Sequence, residues 1–547
     1  MTTVNFVCNG EPIESAVLDG ESLLTVLRER LQLRSAKDGC APQGQCGCCT
    51  VLIDGEPRVA CVTPITRVAG RTVTTIEGLD PTTRTELADR FCDAGATQCG
   101  FCTPGIIMRI APLYEQARCE RVALDRALAA HLCRCTGWQT IVEAVVAERA
   151  DAPRRDLDAA ATRATLETGS PQIVGPDVAL GAAGFADDRA PTEALVAVPR
   201  PPGSPLASGS SPTDAVEAAG IEFVVASSLV EARVSAGKTQ GRRTTLKPRP
   251  PFAVPPAPDG GVAWGTHWVE PAYLEPDASW CEPGGTAASP VANGGAFGGK
   301  VDGIAARAAR ELADRYGRAV RVVFSREDVV RLGPKRPPIA GTAVLDGSTV
   351  RLDIVAAGPI DIANADRYGL DVDANVEVRP LLGPPVARLR APWAESAVLI
   401  EAALDAASFE RAGRLDGLGA AVLLDNCVES PHGAFAGVAL DHSGSSVRSV
   451  HVRVAAGDPL DDIVLRSYCI GATHMALGWM TSEGITVDPE TGEVHDLTIR
   501  SFGVVRPKDM PEVVVDIVDD PRPPIPHASD AVFAAVAAAC LAGKLVS

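Results

Sequence analysis

Eight cysteines in the first quarter of the chain fall into two quartets, Cys40, Cys46, Cys49, Cys61 and then Cys99, Cys102, Cys133, Cys135. Four thiolates, two per iron, are what a [2Fe–2S] rhomb takes, and they must come from a tight loop plus one return segment. Whatever fold the chain adopts, it has to bring those distant positions together twice. The first loop, GCAPQGQCGCCT (residues 39–50), carries Gly39, Gly44 and Gly47, which let the backbone curl and turn N–H groups towards sulfide.

Three other uses of cysteine compete with this one. The chain has 16 cysteines, enough for disulfides, but the N-terminus MTTVNFVCNG has neither a basic region nor a long apolar run. A reducing, cytoplasmic setting is therefore expected, and it disfavours bridges. Zinc is the stronger rival, since CxxC pairs are common zinc ligands. Cys133-Arg134-Cys135 leaves only one residue between ligands, which suits a cluster edge better, and His131 is the only histidine near either quartet. A Rieske centre needs paired histidines, and one is not a pair.

A length of 547 residues suggests roughly three or four domains. A net charge of −18 argues against nucleic acid, whose phosphates need clustered Lys and Arg. No apolar stretch reaches the length of a membrane span. Aromatics are only 4% of residues, so the interior must be largely aliphatic.

Residues 3–8, an Asn9-Gly10 turn and residues 13–18 read as a β-hairpin. A helix follows, with Leu23, Leu24, Leu27 and Leu31 on one face and Ser22 as N-cap. After the cysteine loop comes a second hairpin, Thr50 to Ile53 and Arg58 to Val62 around Asp54-Gly55, which delivers Cys61. This order is that of a ferredoxin-like β-grasp unit, assigned to residues 1–77. Over residues 78–150 the period becomes helical, with four segments: Leu87 to Phe91, Ile106 to Tyr114, Val122 to Leu132 and Ile141 to Val146. Each cysteine pair here precedes a helix. The positive ends of those helices favour the reduced, more negative cluster and raise its potential. Residues 151–171 read as a linker, with room for a helical turn or two. Residues 172–547 read as mixed α and β, with helices over 304–317 and 393–407 and strands over 319–324, 349–356 and 446–454.

QCGFCTPG (residues 98–105) and CRCTGW (133–138), preceded by GQCGCCTVLIDG (44–55) and Cys61, resemble the iron–sulfur portion of the molybdenum hydroxylase family. The family includes xanthine dehydrogenases and aldehyde oxidoreductases. The resemblance covers residues 1–150. It implies a β-grasp domain and a four-helix domain with one [2Fe–2S] cluster each, the helical one nearer a molybdopterin and the other nearer the acceptor. One departure lies in the first loop, where five residues separate Cys40 from Cys46 instead of four. Cys48 there is a spare thiol, and CxxC spacing selects Cys46 with Cys49.

The second part resembles the family in reduced form, as a shortened hammerhead-like α/β domain (172–246) and a shortened molybdopterin-binding-like domain (247–547). NGGAFGGK (293–300) is similar to the glycine loop against the pterin, so Gly294, Gly295, Ala296, Phe297, Gly298 and Gly299 are the candidate pterin contacts. The family's glutamate base should follow a glycine-rich run near the C-terminus, yet residues 519–539 contain no glutamate. Glu483 and Glu512 read as structural, and the catalytic residue stays unassigned. No flavin-binding region separates the two parts. The resemblance thus implies an α+β multidomain oxidoreductase with two [2Fe–2S] clusters, passing electrons from a molybdopterin-type site to a separate flavoprotein or other acceptor, with a homo-oligomer as a further candidate assembly. The missing glutamate suggests an alternative: an electron-transfer subunit or partner-binding scaffold whose molybdopterin region is degenerate and catalytically incompetent.

Overall fold

The computed structural model describes residues 2–18, 20–146, 155–201, 215–237, 239, 241–288, 300 and 303–546. The candidate pterin contacts Gly294, Gly295, Ala296, Phe297, Gly298 and Gly299 lie outside these residues.

Strands Thr2–Cys8 and Glu11–Val17 form the first hairpin, and Asn9 and Gly10 take the left-handed φ of 52° and 88° that a two-residue turn needs. They join Thr72–Thr74, Thr50–Ile53 and Glu56–Val59 in one sheet, where Thr2–Cys8 runs parallel to Thr72–Thr74. Ser22 caps the next helix, accepting from the Thr25 amide. That helix departs from the expected regular course. After Leu23–Thr25 it widens into a π turn over Val26–Arg30, in which Leu31 N donates to Val26 O. Arg28, on that turn, donates to the Arg34 and Ala36 carbonyls and to Asp187 and Asp188.

Four helices follow, Pro81–Asp93, Thr103–Glu115, Arg121–Leu128 and Gln139–Val146. The third is shorter than its apolar pattern suggests. Its continuation is diverted because Leu132 N donates to Cys46 O, at 3.0 Å, instead of closing a helical turn. Gly105 lets the second of these helices rest on the first cysteine loop; a Cβ there would lie 2.4 Å from Gly47 O.

Residues 157–168, inside the expected linker, form a three-turn helix. Asp156 caps it and Gly169 ends it at φ 69°. Its alanines hide an amphipathic face: Ala160 and Ala164 pack on Val464 and Tyr468, while Arg163 and Glu167 pair at 2.7 Å without exposure. Beyond it lie three more sheets. One orders Ala278–Cys281, Val320–Val323, Leu195–Pro199, Ile221–Ala226 and Ala215–Ala218. The next runs Asp371–Val378, Thr349–Ala356, Ile339–Asp346, Val262–Gly265, and the last Asn426–Glu429, Phe435–Ser443, Ser446–Ala455, Glu512–Ile517. Helices Asp462–Thr481 and Ala528–Ala542 pack together as the apolar centre of this part. Gly471 brings the former onto the helical cysteine region, where a Cβ would lie 1.8 Å from Cys135 O. Among the described residues no helix is long and apolar enough to cross a membrane.

On that same helix His474 is fully buried, its Nε2 3.0 Å from Val505 O. Burial, helped by the nearby Arg134 charge, pushes it down from 6.5 to about 4. The unfolded chain therefore binds a proton between these values that the folded chain refuses. Stability should fall by about 3 kcal/mol as pH drops from about 6.5 towards 4. His474→Gln, which keeps a donor for Val505 O, should flatten that part of the pH profile in denaturant titrations. An unchanged slope would refute the buried neutral imidazole.

Candidate functional site

Three members of the first quartet, Cys40, Cys46 and Cys49, come from the loop between the π turn and strand Thr50–Ile53. The fourth, Cys61, sits on the short 3-10 turn Ala60–Val62 that ends the second hairpin. All four are buried. Gln43 N and Gln45 N donate to Cys40 Sγ at 3.2 and 3.5 Å, and Cys61 N donates to Cys49 Sγ at 3.4 Å. Contacts with the Cys46 and Cys61 thiols, together with those amides, hold Cys40 well below the usual thiol range. Its neighbours pay the reverse: the contact with Cys40, then burial, drives Cys46 and Cys61 up.

The helical quartet repeats the pattern. Cys99 and Cys102 precede helix Thr103–Glu115, and Cys133 and Cys135 lie just before helix Gln139–Val146. Cys135 Sγ stands 3.8 Å from Cys99 Sγ, and Cys133 pairs with Cys102. The Cys102 thiol, opposed by burial and helped by Thr136 at 3.0 Å, brings Cys133 down to about 6, while Cys102 and Cys135 are raised. Phe101 N donates to Cys99 Sγ at 3.4 Å.

Ionising all four thiols of a quartet in such dry surroundings needs a cationic core between them. In the first quartet Cys40 contacts both Cys46 and Cys61, and Cys61 also contacts Cys49; in the second, Cys99 faces Cys135 and Cys102 faces Cys133. The single residue between Cys133 and Cys135 suits a two-iron cluster better than one tetrahedral zinc. The residues present fit [2Fe–2S] groups. His131 does not join either quartet's bonding; its Nε2 is 3.1 Å from Thr50 Oγ1, and burial pushes it down to about 3. Cys48 is buried between the quartets, close enough for its charge to act on Cys102 and for that of Cys133 to act on it.

Several contacts that the sequence reading missed come from the second part of the chain. Arg326, fully buried, donates to Gly39 O, beside Cys40, and to the Tyr273 and Leu274 carbonyls, with no carboxylate bonded to it among the described residues. Gln43 donates to Glu327 Oε1 and Leu497 O, and its own Oε1 accepts from Ile499 N. Arg134, between two candidate ligands, grips both oxygens of Glu483 at 2.5 and 2.8 Å. Gln98 Nε2 bonds Cys135 O and Ser467 Oγ.

The expected pterin contacts lie outside the described residues, and their described neighbour Lys300 is bonded to Glu275. Beside Arg134 the cavity measures only about 50 Å³, far below the roughly 300–1,000 Å³ of small-molecule sites. Arg336 fills one side of it, its guanidinium 4.3 Å from the Trp479 ring centre and 5.1 Å from that of Phe533. The C-terminal carboxylates are committed: Asp520 to Arg522 and Gly457 N, Asp530 to Arg390 at 2.6 Å. Glu483 is tied to Arg134, and Glu512 lies exposed on its strand. Of these carboxylates, Glu483, Asp520 and Asp530 are each held by an arginine, and Glu512 lies away from them on the exposed face of its strand.

A family model described as "[2Fe-2S] binding domain" matches residues 75–146. The isoquinoline 1-oxidoreductase subunit alpha of Brevundimonas diminuta is 39% identical over 144 residues, which cover 26% of this chain and 94% of that protein. The xanthine dehydrogenase iron-sulfur-binding subunit of Escherichia coli O157:H7 is 36% identical over 148 residues, 26% of this chain and 92% of that subunit. The xanthine dehydrogenase of Drosophila subobscura is 40% identical over 153 residues, 25% of this chain but only 11% of that protein's length. In fold, the chain is similar to the aldehyde oxidoreductase of Desulfovibrio desulfuricans, with a TM-score of 0.70 at 14% identity, over 98% of this chain and 97% of that one. Paired thiol quartets, a near-complete match to iron–sulfur subunits and this shared mixed α/β multidomain fold lead to one assignment: the chain belongs to the molybdenum hydroxylase family.

Proposed function

We propose that the chain is a two-cluster electron-transfer protein of a molybdenum hydroxylase-type oxidoreductase, with Cys40, Cys46, Cys49, Cys61 and Cys99, Cys102, Cys133, Cys135 as ligands. In this reading residues 1–77 are a β-grasp domain, residues 78–150 a four-helix domain, and the rest a shortened scaffold built on the hammerhead and molybdopterin-binding plans. The observation that carries it is the pairing of eight buried thiols with amides and a helix start turned towards them. Bound [2Fe–2S] groups supply one-electron couples. The chain's own part is to hold their charge and their spacing. The amides of Gln43, Gln45, Cys61 and Phe101 and the N-terminus of helix Thr103–Glu115 offset the negative charge that reduction adds. Gly47 and Gly105 let the two cysteine regions touch, which keeps the transfer path short. Because two of the relatives named above, from Brevundimonas diminuta and Escherichia coli, are subunits, a separate flavoprotein or other redox subunit is the proposed partner.

A second reading, catalysis at a bound molybdopterin, is favoured by the fold likeness to aldehyde oxidoreductase and by the glycine run before Lys300. The commitment of Glu483, Asp520 and Asp530 to arginines opposes it. Expression in a host that makes molybdopterin should yield four irons and no molybdenum per chain; stoichiometric molybdenum would instead support the second reading.

Cys135→Ser and Cys61→Ser should each remove a different one of two reduced-state EPR signals, and survival of both signals in either variant would refute the ligand assignment. Arg326→Gln should lower the potential of the cluster at Cys40 by tens of millivolts, the order expected for removing a nearby unit charge at an effective dielectric of about 20. In a redox titration the helical cluster should hardly move; equal shifts in both, or none, would contradict the local effect.

A further inference from the structure

The two cysteine regions carry their cations differently. Beside the helical quartet, Arg134 stands between Cys133 and Cys135, with its terminal nitrogens on the two oxygens of Glu483 and its Nε donating to Pro271 O at 2.9 Å. Helix Asp462–Thr481 makes room for that carboxylate, since a Cβ on Gly478 would lie 2.0 Å from Glu483 Oε1. Arg134 and Glu483 thus form a closed, neutral pair.

Beside the first quartet the balance is positive. Arg326 donates to carbonyls, Gly39 O among them, and to no carboxylate among the described residues. A second cation reaches the same loop from the 3-10 turn Ile499–Phe502. Arg500 N donates to Gln45 Oε1 at 3.4 Å, and its Nε to Gln45 O, next to Cys46, at 3.0 Å. The terminal nitrogens of Arg500 donate to Ala129 O at 3.3 Å, and no carboxylate pairs with them among the described residues. Negative charge on Cys46 and Cys40 acts on Arg500, so the Arg500 charge acts equally on them. Against these two cations stands Glu327, whose Oε1 accepts from Gln43 at 3.0 Å, while Asp38 is paired with Arg233. Arg500 is therefore the cation in excess.

Reduction adds a negative charge to a cluster, and an uncancelled cation nearby favours it, whereas a neutral pair does so far less. The N-terminus of helix Thr103–Glu115 pulls the other way, but with only about half a unit charge. We propose that this asymmetry sets the direction of the relay: Glu483, by cancelling Arg134, keeps the helical cluster the poorer electron acceptor, and Arg500 makes the first cluster the better one. The proposal rests on the two-cluster relay above. The step it biases is one electron passing from an iron of the helical cluster, Fe(II) to Fe(III), to an iron of the first, Fe(III) to Fe(II), with no proton moved. Glu483 acts through Arg134 and is a positioning residue.

The test uses the cluster-loaded full chain, given one electron equivalent of dithionite and frozen for EPR, with the two signals told apart by Cys135→Ser and Cys61→Ser. In the unaltered chain the signal of the first cluster should dominate. Glu483→Gln frees the Arg134 charge and should lower the ratio of first to helical signal about tenfold, the size expected for a unit charge at an effective dielectric of about 20. Arg134→Gln combined with Glu483→Gln leaves a neutral pair again and should restore the ratio to within about twofold, which a loss of packing would not do. Arg500→Gln, at an exposed position, should lower the ratio about threefold in dilute buffer and hardly at all at about 1 M salt. It keeps the test open if Glu483→Gln does not fold. An unchanged ratio in either folded variant, a double variant as low as Glu483→Gln, or a dominant helical signal in the unaltered chain would overturn the proposal and leave the relay standing. Absence of both signals from the unaltered chain would overturn the relay, and this proposal with it.

Discussion

Four thiolates cannot share a dry pocket without a cation among them, and this chain builds two such pockets in its first quarter. In each, one thiol is stabilised as an anion at the expense of its neighbours, Cys40 against Cys46 and Cys61, Cys133 against Cys102. A cluster resolves that conflict, and its binding free energy becomes folding free energy for the loops that supply the ligands. The surrounding details follow from this demand. Amides point at sulfur, a helix begins at Cys102, and glycine occurs at positions 47 and 105, where a side chain would hold the two cysteine regions apart.

The second part of the chain grips both cysteine regions. Arg28 reaches Asp187 and Asp188, Arg326 reaches Gly39 O, Arg134 reaches Glu483, and Gly471 lets a long helix lie on Cys135. Buried ion pairs contribute little net stability, because desolvation offsets most of their attraction, but they fix how surfaces meet. The second part thus gives the clusters a fixed electrostatic setting, whether or not it retains any chemistry of its own. Arg326 is the clearest example, a buried cation next to a ligand loop.

The cysteine regions were legible because their evidence is local. Spacing, glycines and a proline at a helix start all lie within a dozen residues of the thiols they serve. Helix 157–168 was harder to see, since alanine marks its buried face weakly and its Arg163–Glu167 pair reads as surface charge. The clamps were invisible for another reason. Arg28 and Asp187 are 159 residues apart, Arg326 and Gly39 287, and Arg134 and Glu483 349, so no periodicity links them. The absence of a glutamate between residues 519 and 539 could be read directly. That Asp520 and Asp530 there are bound to arginines could not.

The central claim, that the two thiol quartets hold binuclear clusters and not single ions, is tested most directly by metal and acid-labile sulfide content. Chain purified without oxygen should carry four irons and four sulfides. One zinc per quartet with no sulfide would contradict the account, however well the fold agreed.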